Sequence, residues 1–400
     1  MMQEKFQSKK LAWAQVDNND DYDDDNDDDN NDVSLLLKSS SSLITNNLTH
    51  RPLVLPSKKI NIRRLVTANI AEPSNEPITS VKFHPSNNNL LMVGGIDKHL
   101  RFFRIDGDKN EKQISCKFND YPIMTSMFLG TNGDVILGGR KPFFYTYDIV
   151  SGSVNKVSGL MNKNMKSHEL ISVSPDGGKI AFGGGAGYIH LCSGKTKTWM
   201  MDLKMNTSVR SLCFKDEITL VSSGLDADVY IWDLRKTGKC LKRFAHNDGT
   251  CTSSLAICNN DITGKGALLA VGAESGVVSL YDDIFNSNSN GNNNSNNNSN
   301  SNSYKYTIDP LKSIMNLTTK VSDIAFHSSG QLLAISSEEK ADQLKLVHLP
   351  SCSVYTNWPT DKSPFKKVKC MDFSPGGAYF AIGNNKGSVL LYRLNHFINA

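Results

Sequence analysis

The chain has 400 residues, with 44 Lys and Arg against 40 Asp and Glu and a net charge of +4. No apolar run is long enough to span a bilayer, and the opening MMQEKFQSKK is too polar for a signal peptide, so the sequence predicts a soluble intracellular chain with no membrane partner. The eight Cys show neither Cys-x-x-Cys spacing nor a nearby His at zinc-ligand distance, which predicts small buried hydrophobes and no metal site.

In chain order, residues 1–59 come first. Residues 17–32, DNNDDYDDDNDDDNND, hold ten Asp and no base. Residues 1–60 carry seven Lys and Arg against eleven Asp and Glu, a net of −4, so the rest of the chain carries +8. The segment is rich in Asp, Asn and Ser and lacks the apolar periodicity needed to bury a core, which predicts a disordered acidic tail over 1–59. An acidic tail on a mildly basic body suits work among nucleic acids or basic proteins, although a solvated tail on an average surface gives the same charge. Lys58, Lys59, Arg63 and Arg64 then form a basic cluster. A nuclear import signal, an RNA-phosphate contact and a plain solvated face all fit it.

From residue 78 onward one pattern recurs: an alternating strand, a turn, an apolar strand, a Gly, a short polar turn and a third strand. Copies begin at Ile78, Ile123, His168, Val209, Thr252, Val321 and Val368. The last apolar residue of each first strand is Phe83, Phe128, Val173, Phe214, Ile257, Phe326 and Phe373. These are 45, 45, 41, 43, 69 and 47 residues apart. The long interval contains NSNSNGNNNSNNNSNSNS, residues 286–303, a polar tract that predicts a disordered surface insertion. Without its eighteen residues that interval is 51.

Seven units of this length match a four-stranded propeller blade. Alternation in SVKF, SLCF, DIAF and CMDF fits half-buried strands. The more continuous LLMVGG, VILGG, KIAFGGG and LLAVG fit strands buried on both faces, and Gly at their ends fits tight turns. Asp97 and Asp226, with Asn384 in the last unit, are expected to accept backbone N–H groups in those turns. The units resemble WD repeats, although only the fourth ends in a literal Trp-Asp, Trp232-Asp233. The fold class expected is all-β: a seven-bladed WD-repeat β-propeller over residues 60–400. The last unit ends near Leu394, too early for a fourth strand. INIRRLVTANI, residues 60–70, is expected to supply it and close the ring.

No catalytic set emerges, and no cofactor is implied. GGGAG, Gly183–Gly187, lacks the helix a phosphate loop needs. SGKT, residues 193–196, lacks the earlier Gly of a P-loop. DGDKNE, residues 106–111, has Glu111 where a calcium loop needs Gly. His168-Glu169 has no second His at zincin spacing, and no Gly-x-Ser-x-Gly elbow occurs. Basic–aromatic interleaving of the RNA-binding kind is loose, in RFFR (101–104) and GRKPFFYTY (139–147), and strand packing explains it equally well. IWDLR matches the Trp-Asp-x-Arg pattern of cullin-type ubiquitin-ligase substrate receptors. That alternative makes Arg235 the adaptor contact.

Longer stretches are more specific. GGIDKHLRFFRIDGDKNEKQISCKFNDYPIMTSMF, GDVILGGRKPFFYTYDIVSG, VSPDGGKIAFGGGAGYIHLCSGKTKTWMMDLKMN and TANIAEPSNEPITSVKFHP are similar to the U3 small nucleolar RNA-associated protein 18 family, over about residues 60–400. The resemblance implies a non-catalytic nucleolar propeller of the small-subunit processome. Its expected partners are other propeller proteins, the U3 small nucleolar ribonucleoprotein and pre-ribosomal RNA, and its expected role lies in early cleavages toward 18S rRNA. Some members carry an N-terminal motif that recruits the exosome's helicase. WAQVD matches it loosely through Trp13, Val16 and Asp17.

Overall fold

The computed structural model describes residues 54–397, apart from 132, 160–164, 237–238, 261–265, 283, 286–307 and 361–363. The acidic tract, the Trp13–Asp17 motif and the Asn/Ser insertion lie outside the described residues. No helix is long and apolar enough to cross a membrane. The described secondary structure is strand, with short 3-10 turns at Gly185–Gly187 and Asn395–Phe397.

The strands form seven four-stranded sheets. Six are simple antiparallel meanders of consecutive strands. In blade one these are Ile78–Phe83, Leu90–Gly95, His99–Arg104 and Glu111–Lys117. The flanks of the Asn/Ser insertion place it between the third strand of blade five, Val278–Tyr281, and its outer strand, Lys312–Ile314.

Blade seven is the exception. Val368–Phe373, Tyr379–Asn384 and Val389–Leu394 come from the C-terminal part, and the outer strand is Ile62–Arg64. Its register is Ile62 opposite Leu394, Arg63 opposite Arg393 and Arg64 opposite Tyr392. This is the closure expected for residues 60–70.

The core is divided among the seams. Strand alternation sends successive side chains to opposite faces, so neighbouring residues serve different seams. Met92 packs with Tyr121, Val135 and Tyr147 of blade two, while Leu91 and Val93 pack with Ala381 and Leu391 of blade seven. Ile180 and Phe182 face blade two, whereas Ala181 faces blade four. The remaining seams are filled in the same way. Each buried Leu or Phe contributes about 1.5–3 kcal/mol, and that contribution requires the neighbouring blade to be in place.

Gly138, which ends the second strand of blade two, has a different role from the one expected, and Gly383 shares it. Gly138 and Gly383 do not have positive φ. A Cβ on Gly138 would lie 2.2 Å from the His168 carbonyl oxygen, and one on Gly383 would lie 2.6 Å from Cys370 Sγ. Close packing, not turn geometry, excludes a side chain there.

Ordered contacts also begin ahead of the boundary expected at residue 60. Leu55 is buried. Its N–H donates to Gln331 Oε1 (2.7 Å), and His348 Nε2 donates to its carbonyl (3.0 Å). Tyr355 Oη donates to the Pro56 carbonyl at 2.7 Å. Asn357 then takes both backbone groups of Ile60, at 3.2 and 2.7 Å. Past the closing strand, Asn69 exchanges bonds with Gly387 and Val389, and Asn110 Nδ2 reaches the Val66 carbonyl. One segment thus straps blades six, seven and one.

Two predictions follow from these contacts. Gly138→Ala should lower the free energy of unfolding by about 1–3 kcal/mol in urea titration. Gly185→Ala, which meets nothing within 4 Å, should stay within about 0.5 kcal/mol; equal costs would refute the seam argument. Deletion of residues 60–70 should abolish cooperative melting by circular dichroism, and a deletion variant melting at the wild-type temperature would show that closure does not need them.

Candidate interaction surface

A blade exposes its turns on two faces and its outer strand on the rim. The inner strands are tied together by polar side chains. Ser80 Oγ accepts from the Ser126 N–H (3.1 Å) and Ser211 Oγ from Leu255 (3.0 Å). Asp323 Oδ2 accepts from Met371 (2.7 Å) and Asp372 Oδ2 from Phe83 (2.8 Å). Each link joins one blade to the next. At the closing seam Lys82 Nζ lies 3.2 Å from Asp372 Oδ1. The Asp372 charge raises the Lys82 pKa, and burial raises the carboxyls of Asp372 and Asp323, the latter to about 6. The Lys82 side chain is 38% exposed, so solvent screens the pair, and it serves register more than stability.

The expected turn residues divide. Asn384 Oδ1 accepts from the Lys386 and Ser388 N–H groups, both at 3.0 Å. Asp97 accepts one N–H, from His99 (3.3 Å), and otherwise holds Ser74 Oγ and Arg101. Asp226 instead accepts from Tyr230 Oη at 3.0 Å, and its Oδ1 is buried without a partner. Trp232 is buried and donates Nε1–H to Ser222 Oγ at 2.8 Å. Arg235 is exposed, and its Nε and Nη2 grip Asp233 at 3.0 and 2.9 Å. Those bonds hold the Asp233 carboxyl down at about 2.

The stretches weighed for chemistry have these places in the fold. Gly185–Gly187 is a turn between Lys179–Gly183 and Tyr188–Ser193, with a strand on each side. The 106–111 loop is organised by Asn110, whose Oδ1 accepts from the Gly107 N–H at 3.1 Å. His168 is buried with Nδ1 on the Lys141 carbonyl, and Glu169 pairs with Arg140. Burial raises the thiol of Cys192 to about 12 and that of Cys213 to about 11. Such thiols stay protonated and weakly reactive. Among the described residues no group of three or more His, Cys, Asp or Glu is arranged to hold a metal.

The aromatic–basic stretches also resolve into packing. Phe102, Phe103, Phe144 and Tyr147 are buried, and Arg101 is buried against Glu72 and Asp97. Four basic residues face outward on or beside the closing strand: Lys58, Lys59, Arg63 and Arg64. Sequence reasoning found this cluster but not its position on the rim of blade seven.

Seven four-stranded blades closed by a strand from the N-terminal side define the fold of a WD-repeat propeller. A family model for the WD domain, G-beta repeat, matches residues 67–104, which end with the third strand of blade one. The chain is 41% identical over 360 residues to the U3 small nucleolar RNA-associated protein 18 homolog of Arabidopsis thaliana, covering 88% of this chain and 62% of that protein. It is 34% identical to the Homo sapiens homolog, covering 88% and 60%. It is 30% identical over 385 residues to U3 small nucleolar RNA-associated protein 18 of Saccharomyces cerevisiae, covering 86% and 62%. The chain is similar to these proteins along most of its own length and spans about 60% of theirs. The relatives give no support to the ubiquitin-ligase alternative.

Buried histidines make the ring acid-sensitive. His327 accepts from the Ser329 N–H at Nδ1 (3.0 Å) and donates Nε2–H to the Gly377 carbonyl of blade seven (2.9 Å). Burial lowers its pKa from 6.5 to about 4. The unfolded chain takes up a proton below pH 6.5 that the folded ring refuses until about pH 4. This contribution is complete above pH 6.5 and is lost as pH falls through that window, by up to about 3 kcal/mol. Burial shifts His84, His168, His246 and His348 in the same direction. His327→Asn should be less stable than wild type at pH 7.5 yet lose less stability on going to pH 4.5, by urea denaturation at both values. Parallel losses would show that His327 does not titrate in this way.

Proposed function

We propose that this chain is a non-catalytic scaffold of the small-subunit processome. In this reading it acts in the nucleolus with the U3 small nucleolar ribonucleoprotein, in pre-rRNA processing and 18S rRNA maturation. The similarity to named U3 small nucleolar RNA-associated proteins along 88% of the chain carries the reading. The architecture supports it, because a closed ring with two faces and a rim can hold several partners at once. Other propeller proteins are the natural neighbours. In the same reading the acidic run of residues 17–32 offers negative charge to basic partners, and Trp13, Val16 and Asp17 offer the exosome's helicase a docking motif.

Immunoprecipitation of the tagged protein should enrich both U3 small nucleolar RNA and unprocessed pre-rRNA over a propeller control, and depletion should lower 18S relative to 25S or 28S rRNA. Recovery of neither RNA, with 18S unchanged on depletion, would overturn the reading.

A further inference from the structure

Among the described residues, the rim of blade seven carries positive charge without a carboxylate paired to it. Arg63 lies directly opposite Arg393 across the closing strand pair. Side chains so placed in antiparallel strands are neighbours, and like charges there oppose pairing. Among the described residues neither arginine has an ion pair or a side-chain hydrogen bond, and Arg393 Nε is buried without an acceptor. Lys58, Lys59 and Arg64 are exposed and also unpaired. Elsewhere the ring does supply carboxylates: Arg140 has Glu169, Lys320 has Glu274, Lys369 has Glu338 and Arg235 has Asp233. Repulsion is thus tolerated at the one strand pair on which closure depends.

We propose that this edge is a binding site for the phosphodiester backbone of RNA. Three of the five cations are arginines, whose planar fork matches phosphate oxygens in a bidentate way. Alternation puts Arg63 and Arg64 on opposite sides of an edge strand, so a chain lying along the rim meets both. At about 3.3 Å per residue, residues 58–64 span roughly 20 Å, enough for several phosphates. Between them no large apolar side chain is exposed, so the apolar anchor of a protein interface is missing. An import receptor, which reads a free extended peptide, meets a segment whose Ile60 is held by Asn357 and whose Ile62–Arg64 is hydrogen-bonded into blade seven. Bound phosphate screens Arg63 from Arg393, so binding also stabilises the closed ring.

The inference rests on the ribosome-assembly reading only for which RNA occupies the edge; the site itself takes any RNA strand. The test is therefore run with an unrelated probe. A fluorescein-labelled single-stranded RNA of mixed sequence is titrated with the full chain by anisotropy, between about 50 and 200 mM KCl. Five phosphate contacts predict a log–log salt slope near −3.5, at about 0.7 per charge. The variant Arg63→Gln/Arg64→Gln should bind at least tenfold more weakly and with a slope shallower by about 1.4. Arg63→Gln alone should raise the melting temperature without RNA, because repulsion is relieved, and should show a smaller rise when RNA is added. Arg393→Gln should repeat that pattern, which guards against a folding defect in either variant. Unchanged affinity and slope in the double variant would overturn the proposal, as would a melting temperature lowered by both single variants with RNA binding intact. A poly-glutamate peptide binding as tightly as RNA, with the same loss in the variant, would assign the edge to an acidic protein instead. A failure of U3 recovery in cells would leave these measurements untouched.

Discussion

The backbone pairing of Ile62–Arg64 with Val389–Leu394 is the constraint on which the rest of the molecule depends. Each sheet is apolar on both faces and obtains each cover from a neighbour. Blade one needs blade seven for Leu91 and Val93, and blade seven needs blade six for Phe380 and Tyr392. An open ring would expose two such faces. Closure comes from three short residues of strand, so it is reinforced around them: Asn357 and Asn69 clamp the strap at either side, and Lys82 and Asp372 pair on the inner strands. Small polar groups hold in register what apolar packing makes stable.

This division of labour leaves the outside free for function. Exposed charges elsewhere include pairs satisfied within the chain, as Glu169 is by Arg140 and Glu274 by Lys320. Surface of that kind contributes little to stability and can vary in sequence while the ring stays the same. The rim of blade seven departs from it, with a run of cations on and beside the strand that closes the ring. Where a surface is both electrostatically unfavourable and structurally indispensable, stability and recognition have to be met by the same residues.

The repeat was legible because its signal is periodic. The interval between Phe83, Phe128 and Val173 is the length of one blade, seven of which complete the ring, and the short final unit required a strand from elsewhere. Residues acting through space were harder to read. Gly138 looked like a turn glycine, but its reason is the His168 carbonyl of the next blade. Asp97 and Asp226 look equivalent in sequence, yet their partners are set by Arg101, Ser74 and Tyr230. Leu55 looked like part of the tail because Leu53, Val54 and Leu55 form only a short apolar run between two prolines, with no period; its burial is decided by His348 and Gln331, nearly three hundred residues away. The basic cluster was visible as composition, but its opposition to Arg393 belongs to the closed ring alone.

The strap also orders events in time. Ile62–Arg64 is made early, whereas its partner strand begins at Val389, and translation at about 5–20 residues per second separates the two by roughly 15–65 s. During that interval the growing chain holds completed blades with an unmatched apolar face at each end, the state most exposed to misassembly and to chaperones. A chain interrupted anywhere before Val389 never acquires the edge that Ile62–Arg64 must join. Only a chain read through its last blade can bury both ends.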